Sequence, residues 1–264
     1  RRRFQVRDGL PSNWIYDVVQ TRDGYVWIAT HNGVVRYDGL RFRIFNRSNT
    51  PHMPANDTRV LYESRDGGLW IGTVGGLARY AGSRPGRLEA FETFAGNSVH
   101  AIFEDRAGTL WLGTREETWA KAQGHHFEAV DGAPVDVKAI CEDQGGAIWF
   151  GSDSGLYRRQ GTNYERVPHE RLPIPTETDA GLQPAGVNVL LADDDGGLWI
   201  GANRGLLYIK EGRFENRGQE IGQQQVYGMV RTRNNRLYVA TRFGLQHAID
   251  DGKFEKLPSE EFTR

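Results

Sequence analysis

The sequence GGLWIG occupies Gly67–Gly72 and recurs unchanged at Gly196–Gly201. Near-copies are YVWIAT at Tyr25–Thr30, TLWLGT at Thr109–Thr114 and AIWFGS at Ala147–Ser152. The central aromatic residues of all the copies, with a tyrosine in the last, are Trp27, Trp70, Trp111, Trp149, Trp199 and Tyr238. They follow one another at steps of 43, 41, 38, 50 and 39 residues. A repeat of this length indicates a propeller, a solenoid or a similar array.

Each repeat has the same internal order. An apolar run such as Thr58–Ser64 leads into an Asp- and Gly-rich turn, and the Trp strand follows. A second turn that opens on glycine, as at Gly76, leads to a third strand, and a short aromatic strand such as Arg41–Phe45 closes the repeat. Four short antiparallel strands at a period of about 40–45 residues are typical of one propeller blade. The sequence therefore predicts an all-β fold, a β-propeller with about six four-stranded antiparallel blades.

The predicted repeat units divide nearly the whole chain. Their approximate bounds are 13–47, 57–95, 97–131, 135–168, 186–217 and 224–258. Residues 1–12 resemble a closing strand and a connector, because Arg3–Arg7 is similar to Arg41–Phe45. We therefore expect a single propeller over 1–264, excised from a larger receptor. The parent has either seven blades or two propellers in series, and a six-bladed disc with an extra strand is the competing interpretation.

The repeated tryptophans are best explained by packing. One blade cannot bury both of its faces, so blades must stack, and a large aromatic residue fills the space between neighbours. Cys141, the only cysteine, lies in an apolar run and is expected in the core. The formal charge of −1 and the dispersed basic residues predict no nucleic-acid partner, and the absence of a long apolar run predicts no direct membrane insertion.

The string from Asp8 to Phe45 resembles the two-component regulator propeller repeat. It contains DGLPSN, an apolar strand, RDGYVWIAT, GVVRYDG and an aromatic strand in that order. Repeats two, four and five match this pattern well. The third departs after Thr114, where REETWAK replaces the Gly-Leu turn, and the sixth has Tyr238 in place of tryptophan.

The resemblance implies an extracytoplasmic, periplasmic sensor domain of a membrane receptor. Such a domain would signal to a histidine kinase or diguanylate cyclase output domain in the parent chain. The resemblance also implies a small-molecule ligand, often a saccharide or another nutrient. We expect a homodimer, because an unclosed array would leave strand edges that can pair with a second chain. Ligand capture would then change how the two copies pair. No cofactor and no metal are expected.

A ligand site is predicted from the first strands of the repeats. Eleven residues before each central aromatic residue stand Tyr16, Arg59, His100, Lys138, Asn188 and Tyr227. Such polar and aromatic groups would suit a sugar, a uronate or another small anion at the mouth of a central channel. Loops expected at the same mouth carry His31, Asn32, Glu116, Glu117, Asp153, Arg204, Arg242 and Phe243. The opposing interpretation is that the channel is simply polar and wet.

The opposite ends of these strands carry a second polar set, Gln20, Glu63, Glu104, Glu142 and Arg231, and the fifth repeat has Ala192 at this position. Three glutamates around a channel would offer oxygen ligands to Ca²⁺. The alternative, which we favour, is that they are solvated carboxylates next to turns.

We expect no enzyme activity, but two enzymatic alternatives stay open. A streptogramin-lyase-like propeller would pair His100 or His31 with Glu116 or Glu117. A sialidase-like propeller would use Arg59, Tyr16, Tyr227 and Glu116. A third alternative is a protein-interaction platform, in which a flat mouth with exposed aromatics such as Phe243 would bind another protein.

Overall fold

The computed structural model describes residues 4–81, 87–121, 126–168, 171–172, 186–217, 221, 224–232, 234–250 and 253–257. The chain divides into two compact units. The N-terminal unit comprises Arg2–Glu104 and Gly108–Ala129, and the C-terminal unit comprises Asp105–Ala107 and Val130–Arg264.

The N-terminal unit contains three four-stranded sheets. Blade 1 consists of β1 Ile15–Gln20, β2 Val26–Thr30, β3 Gly33–Tyr37 and β4 Phe42–Phe45. Blade 2 consists of β5 Thr58–Glu63, β6 Leu69–Thr73, β7 Gly76–Ala81 and β8 Arg87–Phe91. Blade 3 consists of β9 Val99–Glu104, β10 Leu110–Thr114, β11 Thr118–Lys121 and β12 Glu128–Ala129.

The C-terminal unit also contains three four-stranded sheets. Blade 4 consists of β13 Val137–Glu142, β14 Ile148–Ser152, β15 Gly155–Gln160 and β16 Asn163–Arg166. Blade 5 consists of β17 Val187–Ala192, β18 Leu198–Ala202, β19 Gly205–Lys210 and β20 Arg213–Asn216. Blade 6 consists of β21 Val226–Arg231, β22 Leu237–Thr241, β23 Gly244–Asp250 and β24 Lys253–Lys256.

Every sheet is a simple antiparallel meander in which each strand pairs with the next one along the chain. The fold is therefore a β-propeller of six four-stranded blades, and the predicted fold class is confirmed. In blades 1 to 5 the turn between the first and second strands contains a glycine with positive φ, as at Gly67 (φ 83°) and Gly196 (φ 87°). Glycine adopts this conformation at no steric cost. In blade 6 Asn235 (φ 62°) takes the same role. Among the described residues, no helix has the length and apolar character required to traverse a bilayer.

The core lies between neighbouring blades within each unit, as the repeated tryptophans predict. Trp27 of blade 1 packs against Tyr80 of blade 2, with ring centroids 4.9 Å apart. In the C-terminal unit, Trp199 of blade 5 meets Phe254 of blade 6 edge-on at 6.3 Å. All five tryptophans of the repeat are at most 9% exposed. Their predicted role as fillers between blades is confirmed, and so is the burial of Cys141.

The start of the chain differs from the expected strand. Val6–Asp8 form a 3-10 turn, because the Gln5 N–H donates to the Asp8 carboxylate at 2.9 Å and Gly9 takes a left-handed conformation. Phe4 packs on Tyr37 and Phe42, with centroids 5.2 and 5.1 Å away. Local capping and aromatic packing thus replace sheet pairing in this segment. Arg1–Arg3 and most of the stretch from Val167 to Gly186, between the fourth and fifth repeats, lie outside the described residues.

Candidate functional site

The six predicted site residues share one backbone feature. In each blade the register between the first and second strands shifts once, and the unpaired bulge residue is the predicted one. These residues are Tyr16, Arg59, His100, Lys138, Asn188 and Tyr227. A β-bulge redirects its side chain out of the regular alternation of the strand. The alignment thus found a structurally equivalent column, although it did not predict the bulge itself.

The loop after the second strand lies at the same end of its blade as the bulge. The His31 N–H donates to the Trp14 carbonyl at 3.1 Å, and the Arg242 N–H donates to the Gln225 carbonyl at 3.3 Å. Trp14 and Gln225 each precede the bulge residue of their strand by two positions. Within these two blades, the predicted loop residues therefore lie near the predicted bulge residues. A single mouth formed by all six blades stays a prediction.

In the N-terminal unit the bulge residues of blades 1 and 2 are in direct contact. The Arg59 guanidinium stacks over the Tyr16 ring, with Cζ 4.2 Å from the centroid. Its Nη2 also pairs with Asp57 Oδ2 at 2.7 Å. The sequence brought Tyr16 and Arg59 into one column, but it did not identify Asp57 as the carboxylate that orients the arginine.

The same carboxylate holds a predicted loop residue. His31 Nδ1 lies 3.2 Å from Asp57 Oδ2, so His31 and Arg59 share one oxygen. The His31 ring lies 5.9 Å from the ring of Trp14, which is 69% exposed. We call Trp14, Tyr16, His31, Asp57 and Arg59 the aromatic–carboxylate cluster. Trp14 and Asp57 occupy equivalent positions, so aligning the repeats two residues further back would have found both.

The aromatic–carboxylate cluster has unused hydrogen-bonding capacity. Asp57 Oδ1 and Arg59 Nε are buried and have no partner among the described residues. Buried polar atoms are usually paired, so an unpaired acceptor and an unpaired donor distinguish this cluster from an ordinary buried ion pair. His100, the bulge residue of blade 3, is half-buried in the same unit.

In the C-terminal unit the bulge residues of blades 4 and 5 bind within the protein. Lys138 forms an ion pair with Asp153, a predicted loop residue. Asn188 Nδ2 donates to Asn203 Oδ1 at 2.9 Å and to the Val226 carbonyl at 3.1 Å. These contacts join the bulge of each strand to the following loop or blade, which indicates a structural role for Asn188.

Blade 6 presents the most exposed part of this column. Tyr227 is 55% exposed and Phe243, on the loop after β22, is 60% exposed. Gln225 Nε2 donates to Asn203 Oδ1 at 3.0 Å, and Gln224 Oε1 is buried without a partner among the described residues. The sialidase-like alternative, which requires Tyr16, Arg59 and Tyr227 in one site, stays a prediction.

The glutamates at the opposite strand ends do not form a cation site. Glu63 accepts the Arg22 N–H with both oxygens at 3.1 Å, and Glu104 accepts the Arg65 N–H at 2.8 Å. Glu142 accepts the Arg106 N–H at 2.6 Å within the C-terminal unit. No group of three metal-ligating side chains occurs within the described ranges. Each of these carboxylates accepts a backbone N–H from the turn between the first two strands of the preceding blade. The spacing of the residues in the sequence did not predict this contact.

Three stretches of the chain match a known repeat family. Residues 9–32, 52–75 and 93–116 match the family model described as two component regulator propeller. Each range covers the first two strands of one blade, in blades 1, 2 and 3. The resemblance inferred from the motifs is confirmed. No curated protein sequence matches the chain.

Solved structures of similar fold include two extracellular domains. One is the extracellular domain of a B. thetaiotaomicron protein assigned as a hybrid two component system, with a TM-score of 0.78, 19% identity, and coverage of 97% of this chain and 36% of that chain. Another, assigned as a one component system of the same organism, has a TM-score of 0.78 and 22% identity, and the match covers 96% of this chain and 34% of the other. This chain therefore spans about a third of these extracellular domains.

An enzyme also has this fold. A streptogramin B lyase matches with a TM-score of 0.73 and 17% identity, over 95% of this chain and 85% of the lyase. At such low identities these likenesses show the fold alone. The activities of the similar proteins are therefore not transferred to this chain by the comparison.

Proposed function

We propose that this chain, which carries two-component regulator propeller repeats, is the ligand-sensing part of a bacterial signalling receptor and catalyses no reaction. The proposal places it on the periplasmic side of the membrane, with a kinase or cyclase output domain elsewhere in the parent protein. The fold of extracellular two-component domains supports this location. The aromatic–carboxylate cluster is the observation that carries the proposed binding function.

The chemistry of the aromatic–carboxylate cluster suits a saccharide or a uronate. The exposed face of Trp14 offers a stacking surface for the apolar face of a pyranose ring. Asp57 and His31 offer hydrogen bonds to hydroxyl groups, and Arg59 offers a charged donor to a carboxylate. Small-ligand sites typically combine such an apolar surface with a few fixed polar groups.

Calorimetric titration with D-galacturonate, D-glucuronate and D-glucose tests this site. We expect the uronates to bind more tightly than glucose, and Trp14→Ala to weaken their binding at least tenfold because the stacking surface is lost. Leu40→Ala is the matched control, since Leu40 is also a large exposed apolar residue (84%) but lies on the β3–β4 turn. Equal loss of binding in both variants would contradict the proposal.

The two units are tested separately with charge-removing variants. Arg59→Ala should abolish uronate binding if the N-terminal unit holds the ligand, whereas Lys138→Ala should leave it unchanged. Melting temperatures of both variants must stay near that of the wild type. If only Lys138→Ala loses uronate binding, the site lies in the C-terminal unit. If both variants bind uronate as the wild type does, neither residue belongs to the site and the assignment is refuted.

Signalling by the proposed receptor requires that ligand binding change the pairing of two chains. Light scattering with and without the bound uronate measures this directly, since the monomer has a mass of 29.8 kDa. We expect the mean mass to depend on the ligand at micromolar protein. A ligand-independent monomer would remove dimerisation of this chain from the proposal.

A lyase function is the second candidate, because the fold likeness covers 85% of a streptogramin B lyase. The carboxylate partner of His31 is Asp57 rather than Glu116 or Glu117, so the pairing proposed for a lyase is not formed by this histidine. We expect no consumption of streptogramin B in the presence of Mg²⁺. Turnover that is lost in His100→Ala would instead establish the enzyme.

A further inference from the structure

The spaces beside the tryptophans are filled differently in different blades. In the N-terminal unit, Phe45 and Tyr80 lie 5.5 and 4.9 Å from Trp27 and fill the groove between blades 1 and 2. Phe91 and Phe127 fill the equivalent groove beside Trp70, at 5.1 and 5.8 Å. The side chains at these positions therefore decide whether a groove is closed.

The sequence places smaller or more polar residues at these positions between blades 5 and 6. Phe45 stands opposite Val34, the residue after the glycine that opens β3. In blade 5 the residue after the opening glycine is Leu206, and its carbonyl accepts the N–H of Arg217. Arg217 is therefore the counterpart of Phe45. Tyr80 is the fourth residue after Gly76, and its counterpart after Gly244 is Ala248. A cavity of about 790 Å³ opens here beside Trp199.

Arginines outnumber carboxylates in the lining of this cavity. Arg217, Arg231 and Arg236 line it, against Asp193 and Asp195. Both carboxylates already have partners in the protein. Asp193 pairs with Arg231 and accepts the Trp199 indole N–H at 2.8 Å, whereas Asp195 lies 2.7 Å from Lys210 and accepts the Tyr208 hydroxyl at 2.5 Å. Arg217 in turn pairs with Glu215 at 2.7 Å. Arg236 is thus the arginine of this lining for which the described residues show no carboxylate partner.

Unpaired polar atoms concentrate in the same cavity. Arg217 Nε, Arg231 Nε and His247 Nδ1 are all buried without a partner among the described residues, and all three side chains line the cavity. Leu237, Ala248 and Ile249 contribute apolar surface to the lining, beside the polar Asn235. A site with several nitrogen donors and apolar walls is suited to an anion that carries a hydrocarbon portion.

A second groove in the same unit provides an internal comparison. Between blades 4 and 5 the equivalent positions are Val167 and Ile209, and a cavity of about 400 Å³ opens beside Trp149. Its charged lining contains three carboxylates and two arginines, Asp143, Glu165, Glu211, Arg158 and Arg171. The two grooves thus share an origin in the repeat but differ in the sign of their charge.

We infer that the groove between blades 5 and 6 binds a small organic carboxylate, with its carboxylate toward Arg217, Arg231 and Arg236 and its apolar portion beside Trp199. None of the six bulge residues lines this groove. The inference is therefore independent of the proposed uronate site in the N-terminal unit, and either can fail without the other.

Titration with benzoate, and with uncharged benzamide as its isostere, tests the groove. We expect saturable benzoate binding at least tenfold tighter than benzamide binding, measured by calorimetry or by saturation-transfer NMR. Arg236→Gln, a change at an exposed residue, should weaken benzoate binding at least threefold. Absence of saturable benzoate binding, or equal binding of benzamide, would overturn the inference.

Filling the groove between blades 5 and 6 with a large side chain tests whether benzoate binds there. Ala248→Tyr places at this position the residue type that Tyr80 supplies in the N-terminal unit, and benzoate affinity should fall at least tenfold. Ile209→Tyr makes the equivalent change in the groove between blades 4 and 5 and should alter the affinity less than twofold. The opposite pattern would refute the assignment, and Arg236→Gln decides the question if Ala248→Tyr does not fold.

Discussion

At the scale of single residues, the half-buried Asp17 ties neighbouring blades together. Asp17, in β1, accepts the Leu61 N–H of β5 with Oδ2 at 2.8 Å, and Oδ1 accepts the Val18 N–H at the same distance. Burial raises the pKa of this carboxyl above its ordinary value of 3.8, although the backbone hydrogen bonds from Leu61 and Val18 act to lower it. The native state therefore favours the protonated form more than the unfolded chain does.

This pKa shift predicts a pH-dependent effect of Asp17→Asn. Between 3.8 and the raised native pKa, the native state binds more protons than the unfolded state, so wild-type stability falls as pH rises through this window. The asparagine variant lacks this titration but keeps an acceptor for Leu61. Its free energy of unfolding relative to wild type should therefore increase from pH 4 to pH 7, as measured by urea denaturation.

Two outcomes check the argument about Asp17. Parallel stability curves for wild type and Asp17→Asn over this pH range would contradict it. Asp17→Ala should behave differently, because it leaves the Leu61 N–H without its acceptor, and an unpaired buried donor costs about 1–3 kcal/mol.

Cys141 gives a simpler result at the same scale. Burial raises the pKa of its thiol, so it belongs to the core and not to a reactive site.

At the scale of the strand, the glycine of the WIG motif allows neighbouring blades to approach. A Cβ on Gly201 would lie 2.5 Å from Val189 Cγ1 and 2.6 Å from Val226 Cγ1, in two different blades. Gly72 and Gly151 have equally close valine neighbours. The repeat has glycine at this position in blades 2 to 5 and alanine in blades 1 and 6, at Ala29 and Ala240. Glycine is therefore required where the valines of the two blades lie this close.

Gly201→Ala is therefore expected to destabilise the protein. The added methyl group overpacks the space between blades 5 and 6, and overpacking typically costs about 1–3 kcal/mol. Gly228→Ala is the matched control in the same unit, because its methyl group would meet Ala240 Cβ at an ordinary 3.9 Å. Urea midpoints measure both. Similar midpoints for the two variants would show that Gly201 is not limiting.

At the scale of the whole molecule, neighbouring blades are joined by a contact that recurs in both units. A glutamate at the end of the first strand of one blade accepts a backbone N–H from the preceding blade. The N–H belongs to an arginine in the turn between the first two strands of that blade. The pairs are Arg22–Glu63 and Arg65–Glu104 in the N-terminal unit and Arg106–Glu142 in the C-terminal unit. Because the arginine side chains are more than half exposed, the backbone hydrogen bond matters more than the ion pair.

Substitutions of Glu63 separate these two contributions. Glu63→Ala leaves the Arg22 N–H without its acceptor and should lower the free energy of unfolding by about 1–3 kcal/mol. Glu63→Gln keeps an acceptor and should lose less than half as much, with little dependence on salt. Glu255→Ala, at an exposed position on β24, is the control and should be neutral. If Glu63→Gln instead loses more than half as much stability as Glu63→Ala, and loses most at low salt, the ion pair is the main source of the stability.

The repeating parts of this protein were predictable from its amino-acid sequence. The sequence predicted the four strands of each blade, the buried tryptophans and the column of six residues from Tyr16 to Tyr227. These features were predictable because strand alternation, turn glycines and interblade fillers are encoded locally and recur in every repeat. The exception was the segment before Gly9, where capping by Asp8 formed a turn in place of the expected strand.

Only the tertiary structure decided which side chains meet. His31 and Arg59 share Asp57 although His31 is 26 residues from that carboxylate, and Glu63 reaches a turn 41 residues away. The groove beside Trp199 depends on Arg217 and Ala248, which belong to different blades. These contacts depend on side-chain size and direction across an interblade interface, and no local pattern records how two neighbouring repeats pack against each other.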